Sequence, residues 1–259
     1  MPSPEEGATL PDPHLASFRR DGFIVVPALF PAERIAQLLA HLKRDYPASV
    51  GAADLGDHLK VGSRRFITPI RFAAPFDCGD IAGHPLLTGL LDGILGANWV
   101  FEAFGVICST PGAKAQHIHR DGGLLFPEVG IDKVLPATAV TVMIPLVDLD
   151  EISGGTMFWP GTQRLFQTDA EASDPAEGVA PVVPAGGLAL WDFRVRHSGL
   201  PNRGDAARPL LYFTACRPFW IDHLNFVPGR NAKLLASREA LDALDEGLRA
   251  RFVRAEVAD

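Results

Sequence analysis

The segment His117-Ile118-His119-Arg120-Asp121 sets two imidazoles and a carboxylate within five residues. In an extended chain, residues two apart point to the same side. His119 and Asp121 then aim at one point, and so do His117 and His119. One imidazole and one carboxylate, joined by a second imidazole from elsewhere, make a 2-His-1-carboxylate set. Such a set occupies one face of an octahedral metal and leaves positions open. Open positions suit an oxygen-activating Fe(II), where a co-substrate and O2 must both bind. A surface histidine beside a turn carboxylate fits the short motif equally, so it needs support from elsewhere in the chain.

That support starts at His197, which ends the run LALWDFRVRH and precedes the turn-forming SGLPN. It stands where a buried-type strand opens into a loop. Eleven residues later, Arg208 opens the strand PLLYFTA. A guanidinium offers a planar fork that binds a carboxylate bidentately. An arginine entering an apolar strand costs desolvation free energy unless it meets an anion. A dicarboxylate co-substrate would be that anion, chelating a metal at one end and pairing with Arg208 at the other. An ion pair with Asp192 or Asp205 is the competing explanation.

The elements that position these residues show in the apolar periodicity. Ile35, Leu38, Leu39 and Leu42 share one helical face between Pro31 and Tyr46. A second helix starts near Pro85, with Leu86, Leu87, Leu90, Leu91, Ile94 and Leu95 and a stop at Gly96. A third covers about 237–252. The runs at 22–30, 99–110, 138–149, 155–160, 188–193 and 209–219 are β-branched or aromatic and bounded by Gly, Pro, Asn and Asp. No helix-length pattern separates the strands after Trp99, so a sandwich or barrel is expected, not a parallel βαβ sheet. Residues 1–13 read as a flexible lead-in, 99–220 as the β core, 232–255 as a helical tail and 168–178 as a surface loop, all in one domain of 259 residues.

Several separate segments, in this order, resemble a known family: DGFIVVPALF, PGAKAQHIHRDGG, GGTMFWPGTQR, and HSGLPN followed by RPLLYFTACRPFW. HxD, a long interval, His, then Arg eleven residues on is the order of the Fe(II)/2-oxoglutarate dioxygenases. More narrowly, the chain is similar to their phytanoyl-CoA dioxygenase-like branch over roughly residues 17–228. The resemblance implies a mainly β fold with flanking helices around a double-stranded β-helix, a jelly-roll of cupin type. It implies that His119, Asp121 and His197 hold Fe(II), and that Arg208 holds the distal carboxylate of 2-oxoglutarate. Gln116 and Thr156 match positions that also touch the co-substrate. The third segment departs from the family pattern, GGT…PGTQ in place of GPT…PGSH. His117 is extra and is read as exposed or as a neighbour of the ligands. With Asp121 present, a halogenase is disfavoured. Activity would turn 2-oxoglutarate and O2 into succinate and CO2 and oxidise a C–H bond, with hydroxylation as the default outcome.

Substrate contacts are sought in three places: His58, Arg65 and Phe66 ahead of the β core, Phe126 after the metal motif, and Phe219, Trp220 and Asn225 after the last strand. Together they suggest a largely apolar pocket for an aliphatic or polycyclic small molecule of secondary metabolism. Arg64, Arg65 and Arg71 instead suit an acidic or CoA-bearing substrate. Trp191 and Trp159 read as core packing.

Composition closes off other classes. Hydrophobic residues make up 47% and charged residues 21%, which suits a folded globular chain. The net charge of −7, with no basic run, argues against nucleic acid and anionic membranes as partners. No apolar stretch reaches the roughly 20 residues of a membrane span. Three scattered cysteines without CxxC suggest neither a disulfide framework nor a zinc site. A cytoplasmic monomer or homodimer acting on a small molecule is expected. A cupin-like metalloprotein that does not use 2-oxoglutarate is the chief alternative, since it would share the ligands but not need Arg208. A zinc hydrolase lacks HExxH, and an inactive relative would not need the full set of ligands.

Overall fold

The computed structural model describes residues 13–51, 59–165, 178–223, 225 and 233–257. His58, the lead-in before Pro13 and nearly all of the expected loop at 168–178 lie outside the described residues. The chain runs α1 (Pro13–Asp21), β1 (Phe23–Val26), α2 (Ala32–Asp45), α3 (Pro47–Gly51), β2 (Leu59–Gly62), β3 (Arg65–Pro69), β4 (Arg71–Phe72), α4 (Gly79–Ala82) and α5 (Pro85–Leu95). The second half holds β5 (Val100–Ser109), β6 (Ala139–Pro145), β7 (Thr156–Phe158), β8 (Leu188–Asp192), β9 (His197–Gly199) and β10 (Arg208–Cys216). β11 (Leu235–Ala236), α6 (Arg238–Asp242), α7 (Glu246–Arg251) and β12 (Glu256–Val257) complete it.

Seven strands form one antiparallel sheet in the order β1-β8-β6-β10-β5-β3-β2. The short pair β7-β9 forms a second layer, extended by the bridge between His119 and His197. This is the jelly-roll core that the sequence led us to expect. Its sheet draws on more of the chain than 99–220, because β1, β2 and β3 supply both edges. Pro13 already belongs to α1, a helix the lead-in reading missed.

Strand alternation gives the large sheet two unlike faces. Leu211, Phe213 and Ala215 of β10 join Val140, Val142 and Ile144 of β6 in the main core. α2 covers that face with Ile35, Leu38 and Leu42, and α5 with Leu87, Leu90, Leu91, Ile94 and Leu95. Leu39 is only partly buried at its edge. The opposite face of β10 carries Arg208, Leu210, Tyr212 and Thr214 and lines a cavity. Because both faces are covered, β6 and β10 are buried throughout, including the polar Thr141, Arg208 and Thr214 on the cavity side.

The tail is not one helix. The Asp245 carboxylate accepts from the Leu248 amide at 2.9 Å and starts a new helix, so the apolar period is split between α6 and α7. Leu248 and Phe252 still bury against the main core. Among the described residues, no helix is long and apolar enough to cross a membrane.

One buried carboxylate ties this tail to the edge of the cavity. Glu102 on β5 accepts from the Asp222 amide and from Lys233 Nζ, each at 3.0 Å, and from Arg254. Arg254 in turn donates to the Trp220 and Pro218 carbonyls at 2.8 and 2.7 Å. Removing one member of such a buried network leaves opposite charges uncompensated, at about 3–5 kcal/mol. Glu102→Ala is therefore expected to lower the unfolding free energy by an amount in that range, read from equilibrium urea denaturation as a lower midpoint with the m-value unchanged.

Candidate active site

The metal motif does not lie in a regular strand. It is held by reciprocal backbone bonds, His119 N–H to His197 O at 3.0 Å and His197 N–H to His119 O at 2.9 Å. These bring the two rings to 4.4 Å between centroids. The flanking bonds Gln116 N–H to Gly199 O and Gly122 N–H to Phe193 O keep the segment alongside residues 193–199, which end in β9. One ligand atom from each of His119, Asp121 and His197 lies within 4.8 Å of the others.

The ring orientations are set by the backbone. His119 Nδ1 lies 2.9 Å from its neighbour His117 O, and His197 Nδ1 lies 3.1 Å from Val195 O. Each Nδ1 is thus occupied as a donor, and each Nε2 is left as a metal-binding lone pair. Asp121 is fixed through Oδ2, which accepts from Thr141 Oγ1 at 2.7 Å and from Trp191 Nε1 at 2.8 Å. Its Oδ1 faces His197 Nε2 at 3.3 Å. Asn225 Nδ2 donates to the Asp121 carbonyl at 2.8 Å.

Charge states follow from this packing. Burial and the neighbouring His197 push His119 down to about 4, so it is a neutral ligand at neutral pH. Burial opposes the Asp121 charge, but attraction to His197 prevails and holds the carboxyl well below the usual range. Burial also opposes the imidazolium of His197, yet Asp121 outweighs it and raises that histidine.

At the other end of the cavity lie two buried arginines. Arg208 donates to Ser153 O at 3.1 Å and to Ser109 Oγ at 2.9 Å, and its Nε is buried without a partner. Arg65 donates to the same Ser109 Oγ at 2.7 Å, to Leu200 O at 2.7 Å and to Gly199 O at 3.2 Å. Among the described residues neither is ion-paired. Asp192 is committed to Arg194 at 2.7 Å, so it is not the anion for Arg208. Burial brings both guanidiniums down to about 10, and at Arg208 the charge of Arg65 adds to the effect. Two buried cations with only neutral acceptors form a site for an anion. Gln116 braces it, donating to Val61 O at 2.9 Å and accepting from Gly199 N–H at 3.1 Å. Gly199 has to be bare, because a Cβ there would stand 2.2 Å from Arg65 Nη1.

The cavity joining these ends has a volume of about 340 Å3. It gathers His119, Asp121, His197, Arg208, Gln116, Thr156, Arg65 and Asn225 from the sequence reading. The other candidates stand elsewhere. Phe66 sits between the cavity-lining Arg65 and Ile67 on β3, so its side chain turns to the opposite face. Phe126 and Phe219 are 50% and 71% exposed and do not line the cavity, and Trp220 packs edge-on against Phe193 at 5.0 Å. Arg65 belongs to the Arg208 end. His117 is exposed at the rim and contributes its carbonyl, not its ring, to the metal set.

Sequence reasoning missed Ser109, Thr141 and Tyr212, and it read Trp191 as packing alone. Their signal was register: Thr141 and Trp191 are cross-strand partners between β6 and β8, facing the same side as Asp121.

A face that could hold a metal and a cationic end suited to an anion, within one jelly-roll cavity, match the architecture of a non-haem oxygenase. The phytanoyl-CoA dioxygenase family model matches residues 18–210, and the chain belongs to that family of iron- and 2-oxoglutarate-dependent enzymes. Dioxygenase trt7 of Aspergillus terreus is 23% identical over 195 residues, covering 73% of this chain and 68% of that one. Dioxygenase FrzG of a Cladobotryum species is 23% identical over 257 residues, covering 90% and 81%. Among solved structures, the epimerase SnoN in complex with Fe3+, alpha ketoglutarate and nogalamycin RO superposes with a TM-score of 0.61 at 21% identity, over 83% of this chain and 89% of that chain. The nickel complex of the non-heme monooxygenase ThoJ gives 0.57 at 18%, over 79% and 77%. At these identities the two structures establish the fold.

Outer contacts of metal ligands typically carry about 10–100-fold in affinity. Thr141→Val is expected to weaken Co(II) or Fe(II) binding by about that factor in anaerobic titration. His117→Ala keeps the carbonyl that orients His119 and is expected to leave metal affinity unchanged.

Proposed function

We propose that the whole chain is a single oxygenase domain that uses Fe(II), 2-oxoglutarate and O2 to hydroxylate an unactivated C–H bond of a small, largely apolar molecule. His119, Asp121 and His197 would hold the iron, and Arg208 with Arg65 would hold the distal carboxylate of 2-oxoglutarate. When bound, iron and 2-oxoglutarate supply the oxidant, with succinate and CO2 as by-products. The chain's own part is to orient the imidazoles through Val195 O and His117 O, to fix Asp121 through Thr141 and Trp191, and to keep water from the reacting centre.

The observation that carries this reading is the unmatched pair of buried guanidiniums at one end of a cavity whose other wall holds the metal ligands. A cupin-like protein without the co-substrate has no use for that charge. Val61, Ile67, Ile107, Met143, Phe193 and Leu210 make the remaining wall apolar, which supports the substrate class. The relation to a nogalamycin-pathway enzyme supports a role in secondary metabolism. Three buried free cysteines and the acidic balance agree with a cytoplasmic site of action.

The deciding experiment is an anaerobic titration of the apo-protein with Fe(II) and then 2-oxoglutarate, following the visible charge-transfer band of the chelate. The wild type is expected to give the band and His197→Ala to abolish it. Arg208→Ala removes one side of a buried charge contact, worth about 2–5 kcal/mol, and should raise the 2-oxoglutarate Kd by at least about 30-fold. Fe(II) binding without a band would sink the 2-oxoglutarate reading and favour the cupin-like metalloprotein.

A further inference from the structure

We propose that the protein carries a second ligand site, behind the metal cavity, that takes an amphipathic organic anion: a carboxylate on an aliphatic body. The site does not rest on the oxygenase reading. It is a cavity of about 630 Å3, within the roughly 300–1,000 Å3 usual for small-molecule sites. Residues of α1 and α5, the 133–137 segment, Gln163, Arg164 and Arg217 line it, and it shares no lining residue with the metal cavity. Asp192 and Arg194 face this cavity, whereas Trp191 and Phe193, alternating with them, face the metal cavity. The two cavities thus stand back to back across one stretch of chain.

Its lining has two chemistries. Leu15, Phe18, Ile94, Leu135 and Ala137 are apolar, and Val134 stands beside them 80% exposed. Against these are set Arg19, Lys133, Arg164, Arg194 and Arg217, with Asp192 as the one acid, in a chain whose net charge is −7. Asp192 is consumed by Arg194, which grips its two oxygens at 2.9 and 2.7 Å. Arg194 also donates to the Asp132 and Leu135 carbonyls at 2.7 and 3.1 Å, so this neutral pair builds the wall. The half-buried Arg217 meets only neutral acceptors, Ala137 O at 2.9 Å and Ile94 O at 3.3 Å. Arg164 donates to the main-chain carbonyl of Arg19. Among the described residues, none of Arg19, Arg164 and Arg217 meets a carboxylate. Cations gathered around one concavity repel one another and raise the local concentration of anions. A guanidinium fork matches a carboxylate in shape as well as charge. An inorganic anion would leave the apolar lining in water, and a hydrocarbon would leave the cations unmatched. A ligand with both parts satisfies both.

Calorimetric titration of the full chain with octanoate, 1-octanol and acetate tests this. Octanoate should bind at least about tenfold more tightly than either of the others, because it alone engages both parts of the lining. Arg19 and Val134 are exposed, so substituting them leaves the fold intact. Arg19→Ser removes a guanidinium, and Val134→Glu sets a carboxylate among those that remain. Each should weaken octanoate by about tenfold, while Val134→Gln stays near the wild-type affinity. Arg208→Ala, in the metal cavity, should leave octanoate binding unchanged. The proposal is overturned if octanoate does not bind, if 1-octanol or acetate binds as tightly, or if Arg19→Ser and Val134→Glu leave its affinity unchanged. Loss of binding in Arg208→Ala alone would place octanoate at the Arg208 end of the metal cavity and also overturn it. None of these outcomes depends on whether the metal cavity takes 2-oxoglutarate.

Discussion

The two backbone hydrogen bonds between His119 and His197 are the contact on which the site depends. They join two segments that the sequence separates by 78 positions, and they do so at the ligands themselves. No regular strand holds the 117–121 segment, so this bridge, with the flanking bonds from Gln116 to Gly199 and from Gly122 to Phe193, sets His119 and Asp121 against His197. The same local geometry turns His117 O and Val195 O toward the two Nδ1 atoms. Ring tautomer, ring direction and the spacing of the triad are thus consequences of main-chain geometry. Main-chain groups cannot change their hydrogen-bonding character with pH, which makes this orientation sturdier than one built on ionisable partners.

The large sheet explains how so reactive a site can sit in a stable protein. One face of β6 and β10 supplies Val140, Val142, Ile144, Leu211 and Phe213 to a core sealed by α2 and α5. The other face spends Thr141, Arg208, Tyr212 and Thr214 on the cavity. Large buried apolar area on one side offsets the desolvation of polar groups on the other. Glu102 extends the logic to the cavity rim, where Lys233 and Arg254 anchor the turn that carries Asp222 and Asn225.

Much of this was legible in the sequence, for physical reasons that also mark where it stopped. The helices α2 and α5 followed from the spacing of Ile35, Leu38 and Leu42 and of Leu87, Leu90, Leu91 and Ile94, because period 3.6 is local. The long strands followed from β-branched runs. The triad and Arg208 followed from residue type and order. The edge strands β2 and β3 were missed, since Lys60, Arg64 and Arg65 break the apolar pattern there. Arg65 is buried for the sake of its charge, which no hydropathy pattern records. Phe66 illustrates the complementary error: one step along β3 from Arg65, it faces away, and strand parity decides this only once the strand is known. Trp191 satisfies both readings, being buried in packing while its indole N–H holds Asp121.

The charge distribution of the cavity gives it direction. Two cations lie at the Arg208 end, and the carboxylate of Asp121 lies with the imidazoles at the metal end. A dianion entering the site is drawn by the guanidiniums and repelled by Asp121 until a divalent cation is in place. Held by His119, Asp121 and His197, a divalent ion would turn the repulsive end into an attractive one, since it would be the largest local charge. These electrostatics would favour metal first and co-substrate second. An anion held at both ends would leave the apolar stretch around Ile107, Met143 and Leu210 as the space still open. A neutral molecule could enter that space without opposing either charge.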